Sequence, residues 1–369
     1  MPRRLTLTPF LIVIVGLLTV CPVLMLVLGS FSRGFGAFGQ FTLEKYAAAY
    51  TDPAFADILV NTLIFTVGSA MVATALALFL AYMNTRTDIP FKFLFGVISI
   101  IPMMVPHILF AVSWLLLLNP SNGILNRLIM QLFGLENSPF NIYTLPGMIL
   151  VEGLLDLPIA YLIIAPAMSA FDVSLEESSK VCGASTLKTL ARVTLPVLRP
   201  AILASAILVI VRSLASFAVP SIIGMPGRKY VLSTHIYRTI STGFSADYGK
   251  AAAIGMSALA ASIVLIYLYR YLTSESSRYV TISSRGFKPA LIELKGARYP
   301  LFAIVGTLSF VLIVLPVIVL FYTSMLPYVM VPGERAFQLM SWKNWVEVLK
   351  DPISLLALKN SVFLGVAGA

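Results

Sequence analysis

The sequence predicts an all-α integral membrane protein. Three observations carry that expectation. Hydrophobic residues make up 59% of the 369 positions and charged residues only 11%, where soluble domains carry about a quarter charged. Uncharged apolar runs recur along the chain, each near the roughly 20 residues that cross about 30 Å of hydrocarbon as a helix. The segments between them are basic, giving a net charge of +10, as expected of loops retained on the cytoplasmic side of a membrane.

The elements follow in order. Arg3 and Arg4 precede an uncharged run from Leu5 to Ser32. A signal peptide has such a basic start, but its apolar region is about 7–15 residues. The longer run predicts a retained first helix over Pro9–Gly29, with a cytoplasmic N-terminus. After the polar loop Phe31–Asp57, spans are predicted at Ile58–Met83, at Phe93–Leu118 (broken by Pro102 and Pro106) and at Leu145–Ala167. The loop Asn119–Thr144 holds a short helix near Ile124–Phe133. A polar island, Leu175–Ile202, separates the fourth span from a fifth at Ala201–Ile223. The loop Gly224–Tyr248 leads to a sixth at Ala251–Leu272. Alternating these spans from a cytoplasmic N-terminus puts the island in the cytoplasm.

Residues Thr273–Tyr299 are polar and basic, with Arg278, Arg285, Lys288, Lys295 and Arg298. A further span, Leu301–Tyr322, follows, and then the chain resembles its own beginning. Phe41–Ala70 aligns without gaps with Met340–Ala369 at an offset of 299 residues. Asp52-Pro53 meets Asp351-Pro352, Tyr46 meets Trp345, Asn61 meets Asn360, and Pro22 matches Pro316 after a small loop-length change. This predicts a direct repeat, its copies related by an axis along the membrane normal. Residues 1–272 form the first unit with its core at 57–272. Residues 273–299 are a cytoplasmic linker, and 300–369 begin a second unit that contributes its first two helices. The chain is expected to be truncated within that copy.

Composition closes off several functions. The basic residues are scattered over loops and form no stripe with interleaved aromatics, so no nucleic-acid partner is expected. Cys21 and Cys182 cannot make a disulfide framework. His107 and His235 lack metal-ligand spacing, so neither metal nor cofactor is expected. Gly183 to Thr189 has the lysine of a phosphate-binding loop but not the glycine before it, and no strand precedes it. This chain is therefore not expected to hydrolyse ATP.

The island carries the informative motif. Glu177 is followed six residues later by Gly183, then by Val193 and Leu195-Pro196. This resembles the E-A-A-x-x-x-G-x9-I-x-L-P pattern of ABC-transporter permeases of binding-protein-dependent importers, with Ser178-Ser179 for the two alanines and Val193 for isoleucine. Glu176, Ala184-Ser185 and Arg199-Pro200 fit the same habit. Within the family, the two-copy layout, Ser216–Pro220 with Ile223-Gly224, and Gly286–Pro289 resemble the branch serving ferric iron, thiamine and 2-aminoethylphosphonate. The resemblance implies a type I importer permease fold in a bacterial inner membrane. It also implies two partners, a separate ATPase subunit acting as a homodimer and a periplasmic or lipoprotein solute-binding protein. The ATPase-docking residues it points to are Glu176, Glu177, Gly183, Ala184, Val193, Leu195 and Pro196. A short amphipathic helix Leu175–Val181, a turn at Gly183 and a second helix Ser185–Val193, ended by Pro196 and Pro200, would suit docking.

Inside the membrane, Glu152 and Asp156 lie one turn apart in the fourth span and Arg212 lies in the fifth. Ionisable groups at that depth are expensive and usually paired. They form a helix–helix clasp or line a translocation path. Two other readings stand beside the importer. An ion-coupled secondary transporter would use the carboxylates for coupling, and a truncated permease would be inactive.

Overall fold

In the computed structural model, residues 4–32, 41–170, 172–241, 246–274 and 291–368 are described. Among them the fold is all-helical, with only two isolated β-bridges. Arg278, Arg285, Lys288 and Gly286–Pro289 lie outside the described residues. Among the described residues, six helices are long and apolar enough to cross a membrane, and one sharply bent pair adds a seventh if counted as a single span.

The centre is built from α3 (Phe55–Arg86), α7 (Leu145–Ala170) and α10 (Leu195–Ala215), each packed on the other two. Hydrophobicity cannot drive helices together in lipid, so close packing of small residues must. Ser69, Ala70, Ala73, Ala77 and Ala81 give α3 such a stripe, all buried. On α7, Gly153 meets it so closely that a Cβ there would lie 2.7 Å from Val72 Cβ and 3.1 Å from the Ser69 carbonyl oxygen. Around this centre, α1 (Arg4–Ser30) packs on α12 (Tyr248–Ser274), and α12 packs on α10 and on the short α2 (Glu44–Tyr50).

The third predicted span breaks at Pro106, as expected, but not at Pro102, which lies inside a helix. It divides into α4 (Lys92–Met104) and α5 (His107–Leu118), bent by 105°. Pro106 disfavours helical backbone at Val105, which is extended at φ −97°, ψ 130°. Here α5 packs with α6 (Ile124–Phe133) and with α14 (Leu315–Ser324).

Two further expectations need correction. Pro196 and Pro200 do not end the island's second helix. Helix α9 (Thr186–Thr189), a π turn at Leu190–Thr194 and α10 run on as one span, Thr186–Ala215. The Leu195 N–H bonds the Leu190 carbonyl five residues back, and this wider turn lets the helix continue through a proline that has no N–H to give. The same arrangement recurs where α13 (Arg298–Ser309) passes through a π turn at Phe310–Val314 into Leu315-Pro316. The fifth span also stops early. Ser216 is extended at ψ 133°, and a separate π turn spans Pro220–Gly224.

At the end of the bundle where α3 finishes, the start of the 291–298 segment is tied down. Ile292 N–H donates to the Arg86 carbonyl (2.8 Å), Asp88 N–H to the Ile292 carbonyl (3.2 Å), and Leu294 N–H to Asp88 Oδ1 (2.9 Å). Beyond α13 and α14 come α15 (Glu334–Leu339), α16 (Lys343–Lys350) and α17 (Pro352–Gly368), of which α16 and α17 bury no residue. Tyr46 Oη donates to Ser30 Oγ at 2.9 Å, and Trp345 Nε1 donates to Ser324 Oγ at 3.1 Å. Each serine ends a long apolar helix, eight residues past Pro22 or Pro316.

Gly153→Leu forces α3 and α7 apart, and overpacking of this kind costs about 1–3 kcal/mol. The expected outcome is a lower midpoint of thermal unfolding in detergent. Gly16→Leu, at a position with no atom near its Cβ site, leaves the midpoint unchanged.

Candidate functional site

The island begins with Asp172, whose Oδ1 accepts from the Ser174 N–H at 3.0 Å and opens α8 (Ser174–Val181). Glu176 and Glu177 in its first turn and Lys180 in its last suit the helix dipole. Gly183 ends it at φ +82°, a left-handed conformation that glycine adopts without a Cβ penalty. There the Gly183 N–H donates to the Lys180 carbonyl (2.9 Å) and the Ala184 N–H to the Ser179 carbonyl (3.1 Å). Ser185 then caps the next helix through Lys188 N–H at 3.4 Å. The Ser179 and Thr189 hydroxyls, 3.0 Å apart, hold the two arms of the hairpin together.

The two motif glutamates part company. Glu177 is exposed. Glu176 is buried and turned towards the helix bundle. Its Oε1 accepts from Thr194 Oγ1 at 2.7 Å and lies 3.8 Å from Arg86 Nε. Arg86 is itself buried, and its Nη2 donates to the Met168 carbonyl at 2.8 Å. One knot thus joins α8, the π turn, the end of α3 and the last turns of α7. Facing away from it, Val181 is 88% and Leu187 77% exposed. Gly183 and Pro196 are exposed as well, while Ala184, Val193 and Leu195 are half-buried.

Within the membrane region, Arg212 Nε lies 2.9 Å from Asp156 Oδ1, and Ser213 Oγ donates to Asp156 Oδ2 at 3.2 Å. Glu152 does not join Arg212 directly; its Oε2 accepts from Ser216 Oγ at 2.9 Å. The Asp156 side chain is 1% exposed and that of Arg212 41%, so the pair shows its cationic end at the surface of the bundle. Arg212 Nη2 is 3.2 Å from His107 Nε2. Arginine can only donate, so in a hydrogen bond between them Nε2 is the acceptor. His107 is placed there by the break between α4 and α5.

Sequence reasoning passed over Arg86, Thr194, Ser213 and Ser216. Arg86 is the last residue of a long apolar helix and reads as an ordinary cytoplasmic flanking charge. Its burial depends on the island folding back over it, which no local pattern records.

The profile of the family described as binding-protein-dependent transport system inner membrane component matches residues 73–277, more than half of the chain. The chain belongs to that family. Its match to a putative ferric transport system permease protein of Haemophilus influenzae is 27% identical over 297 residues, 80% of this chain and 45% of the relative. A ferric transport system permease protein of Actinobacillus pleuropneumoniae is 28% identical over 250 residues, 68% of this chain and 36% of the relative. This permease-family chain therefore spans less than half the length of these two relatives. A putative 2-aminoethylphosphonate transport system permease protein of Salmonella typhi is 26% identical over 246 residues, 65% of this chain and 82% of the relative. Among solved structures, a chain of a bacterial alginate ABC transporter in complex with its alginate-bound periplasmic protein superposes with a TM-score of 0.59 at 21% identity. The superposition covers 76% of this chain and 96% of that one. The importer permease fold and the multi-pass membrane architecture follow.

Glu176→Ala leaves Arg86 buried without its carboxylate, and breaking a buried pair costs about 3–5 kcal/mol. The double variant Arg86→Met/Glu176→Leu, which removes both charges, is expected to lie close to the parent. Equilibrium unfolding in mixed micelles distinguishes the two.

Proposed function

We propose that this chain forms part of the translocation path of an ATP-driven, binding-protein-dependent importer, and that residues 175–200 dock a separate ATPase subunit. The observation that carries the reading is the shape of the island. Val181 and Leu187 stand exposed on either side of the Gly183 turn, on a hairpin whose inner face is fixed to α3 and α7 through Glu176 and Arg86. A partner that grips the outer face moves the membrane helices with it as a rigid body. In this reading Glu177, Gly183, Ala184 and Pro196 belong to the gripped hairpin. Glu176, Val193 and Leu195 connect it to the membrane.

The same reading covers the rest of the assembly. The N-terminus and the island are cytoplasmic. Arg212, with Asp156 and Glu152 behind it, faces the path, since an arginine at membrane depth belongs towards water or another subunit and not towards lipid. A second, directly repeated unit begins near residue 300. The paired Tyr46–Ser30 and Trp345–Ser324 contacts support it, because matching residues make matching bonds. Two such units offer two docking hairpins, one for each copy of a homodimeric ATPase. The relatives favour ferric iron or a small organic solute such as 2-aminoethylphosphonate, delivered by a solute-binding protein.

Two experiments test this. Val181→Asp/Leu187→Asp, and separately Gly183→Arg, are expected to lower ATPase co-purification and transport in proteoliposomes by at least about tenfold, as loss of central apolar anchors does. Intact association and transport in Gly183→Arg would sink the docking assignment. Topology is read with Cys182, which is exposed. A membrane-impermeant maleimide is expected to label it in permeabilised cells and not in intact spheroplasts.

A further inference from the structure

A cavity of about 710 Å³ opens at the end of the bundle opposite the island, between the start of α3, the 225–231 loop, α11 (Leu232–Ser241) and the start of α12. Its charges are unevenly matched. Asp52 is paired with Lys250 and Asp247 with Lys45, each at 3.0 Å. Among the described residues, Arg228 and Lys229 have no carboxylate partner, and Arg238 lies over the Tyr230 ring with its guanidinium carbon 4.2 Å from the centroid. Of the described lining residues, Asp57 is the one carboxylate outside an ion pair. The cavity therefore carries surplus positive charge.

The loop that presents these cations is held in one shape. Arg228 is left-handed at φ +53°, stabilised by its N–H to the Met225 carbonyl (3.1 Å) and by Lys229 N–H to the Gly224 carbonyl (2.8 Å). Asn61 Nδ2 donates to the Tyr230 carbonyl at 3.3 Å and fastens the loop to α3. The second, independent feature is His235. It lines the cavity, is 8% exposed, and neither ring nitrogen has a hydrogen-bond partner. Both nitrogens have almost no accessible surface as the ring stands, and leaving them unsatisfied is costly; a small turn of the ring that brings one to the cavity wall lets a ligand there supply the partner.

We propose that this cavity binds a small, doubly charged oxyanion, with Arg228 and Lys229 neutralising it and His235 donating to it. Guanidinium and ammonium groups beside an imidazole form the donor set suited to tetrahedral oxyanions, and the volume is of small-ligand size. Sulfate, phosphate and phosphonates share that chemistry.

Binding is coupled to a proton. Burial lowers the His235 pKa, Asp52 opposes this, and Lys250 and Arg238 add to it, so the empty site holds a neutral imidazole. A bound dianion favours the imidazolium and raises that pKa. Affinity therefore rises as pH falls towards the bound-state value. The two paired carboxylates of the cavity are both held below the usual carboxylate range. Lys250 holds Asp52 below the usual carboxylate range by a side-chain hydrogen bond. Burial pushes Asp247 up, but the Lys250 backbone N–H and the Lys45 ammonium more than offset it. Asp57, Arg228, Lys229 and Arg238 are the other charged groups that line the cavity.

The test uses the full chain in nanodiscs, without ATPase, so its outcome is separate from the docking reading. Calorimetry with sulfate, which does not titrate here, is expected to show saturable binding that tightens several-fold from about pH 8 to about pH 6. Arg228→Gln/Lys229→Gln weakens it by at least about tenfold. His235→Gln keeps binding and flattens the pH dependence. Phosphate competes with sulfate and acetate does so poorly. No saturable sulfate binding, equal binding by the double variant, or equal competition by acetate would overturn the proposal. So would a double variant that loses only association with a solute-binding protein.

Discussion

Arg86 and Glu176 are opposite charges shut away from solvent, and the placement of the island depends on them. Neither residue is stable in that position alone, because an unpaired buried charge carries a desolvation penalty of several kcal/mol. They are tolerated because each has a polar partner beyond the other. Thr194 donates to the glutamate, and the arginine reaches past it to the Met168 carbonyl near the end of α7. Carbonyls in a helix's last turn lack intrahelical partners, and this one lies close to that end. The arginine thereby helps finish α7 while pairing α8. A non-polar replacement could hold the same elements together with equal stability. It would not fix their angle, since apolar surfaces slide where the directional hydrogen bonds to Met168 and from Thr194 do not.

From this knot the helices diverge in function. The 32 residues of α3 run from the knot to the cavity at the opposite end. Along the way the helix packs its small-residue stripe against Gly153 of α7, leaving little room for the two to shift against each other. The helical span Thr186–Ala215 starts in the island and ends beside Glu152 and His107. Its continuity depends on the π turn before Pro196. With a proline break there, as the sequence pattern suggested, the island would hang on a hinge. Without one, the outer hairpin and Arg212 sit on the same rod.

Much of this was legible in the sequence because lipid enforces it. Apolar length alone located the spans, and the Glu177–Gly183–Leu195-Pro196 spacing located the island and the left-handed glycine. Where reading failed, the cause was that proline has two outcomes. Pro106 breaks its helix by 105° and Pro196 does not break its helix at all. The difference lies upstream. Val105 goes extended, whereas Leu190–Thr194 widens by one residue per turn, and such a π turn has no distinctive composition. The Glu176–Glu177 split was also invisible, because adjacent residues on a helix are separated by 100° and only the fold decides which one faces in.

The membrane network shows how far a single sequence can go in assigning roles to charges. Glu152 and Asp156 lie one turn apart and offer Arg212 two carboxylates, and the structure gives them different partners, Ser216 for one and Arg212 with Ser213 for the other. Ser216 is the first extended residue after α10, so the hydrogen bond to Glu152 marks the place where that helix unwinds. An unwound backbone at membrane depth persists only where it is buried in protein or lines a cavity. The break at Ser216 and the break at Val105–Pro106 lie on two helices that meet through Arg212 and His107. Two non-helical corners, joined by an arginine whose exposed end is cationic, put the least regular part of the bundle on one face. In the proposed importer that is the face a translocation path requires, because only there can the backbone depart from a helix without being abandoned to lipid.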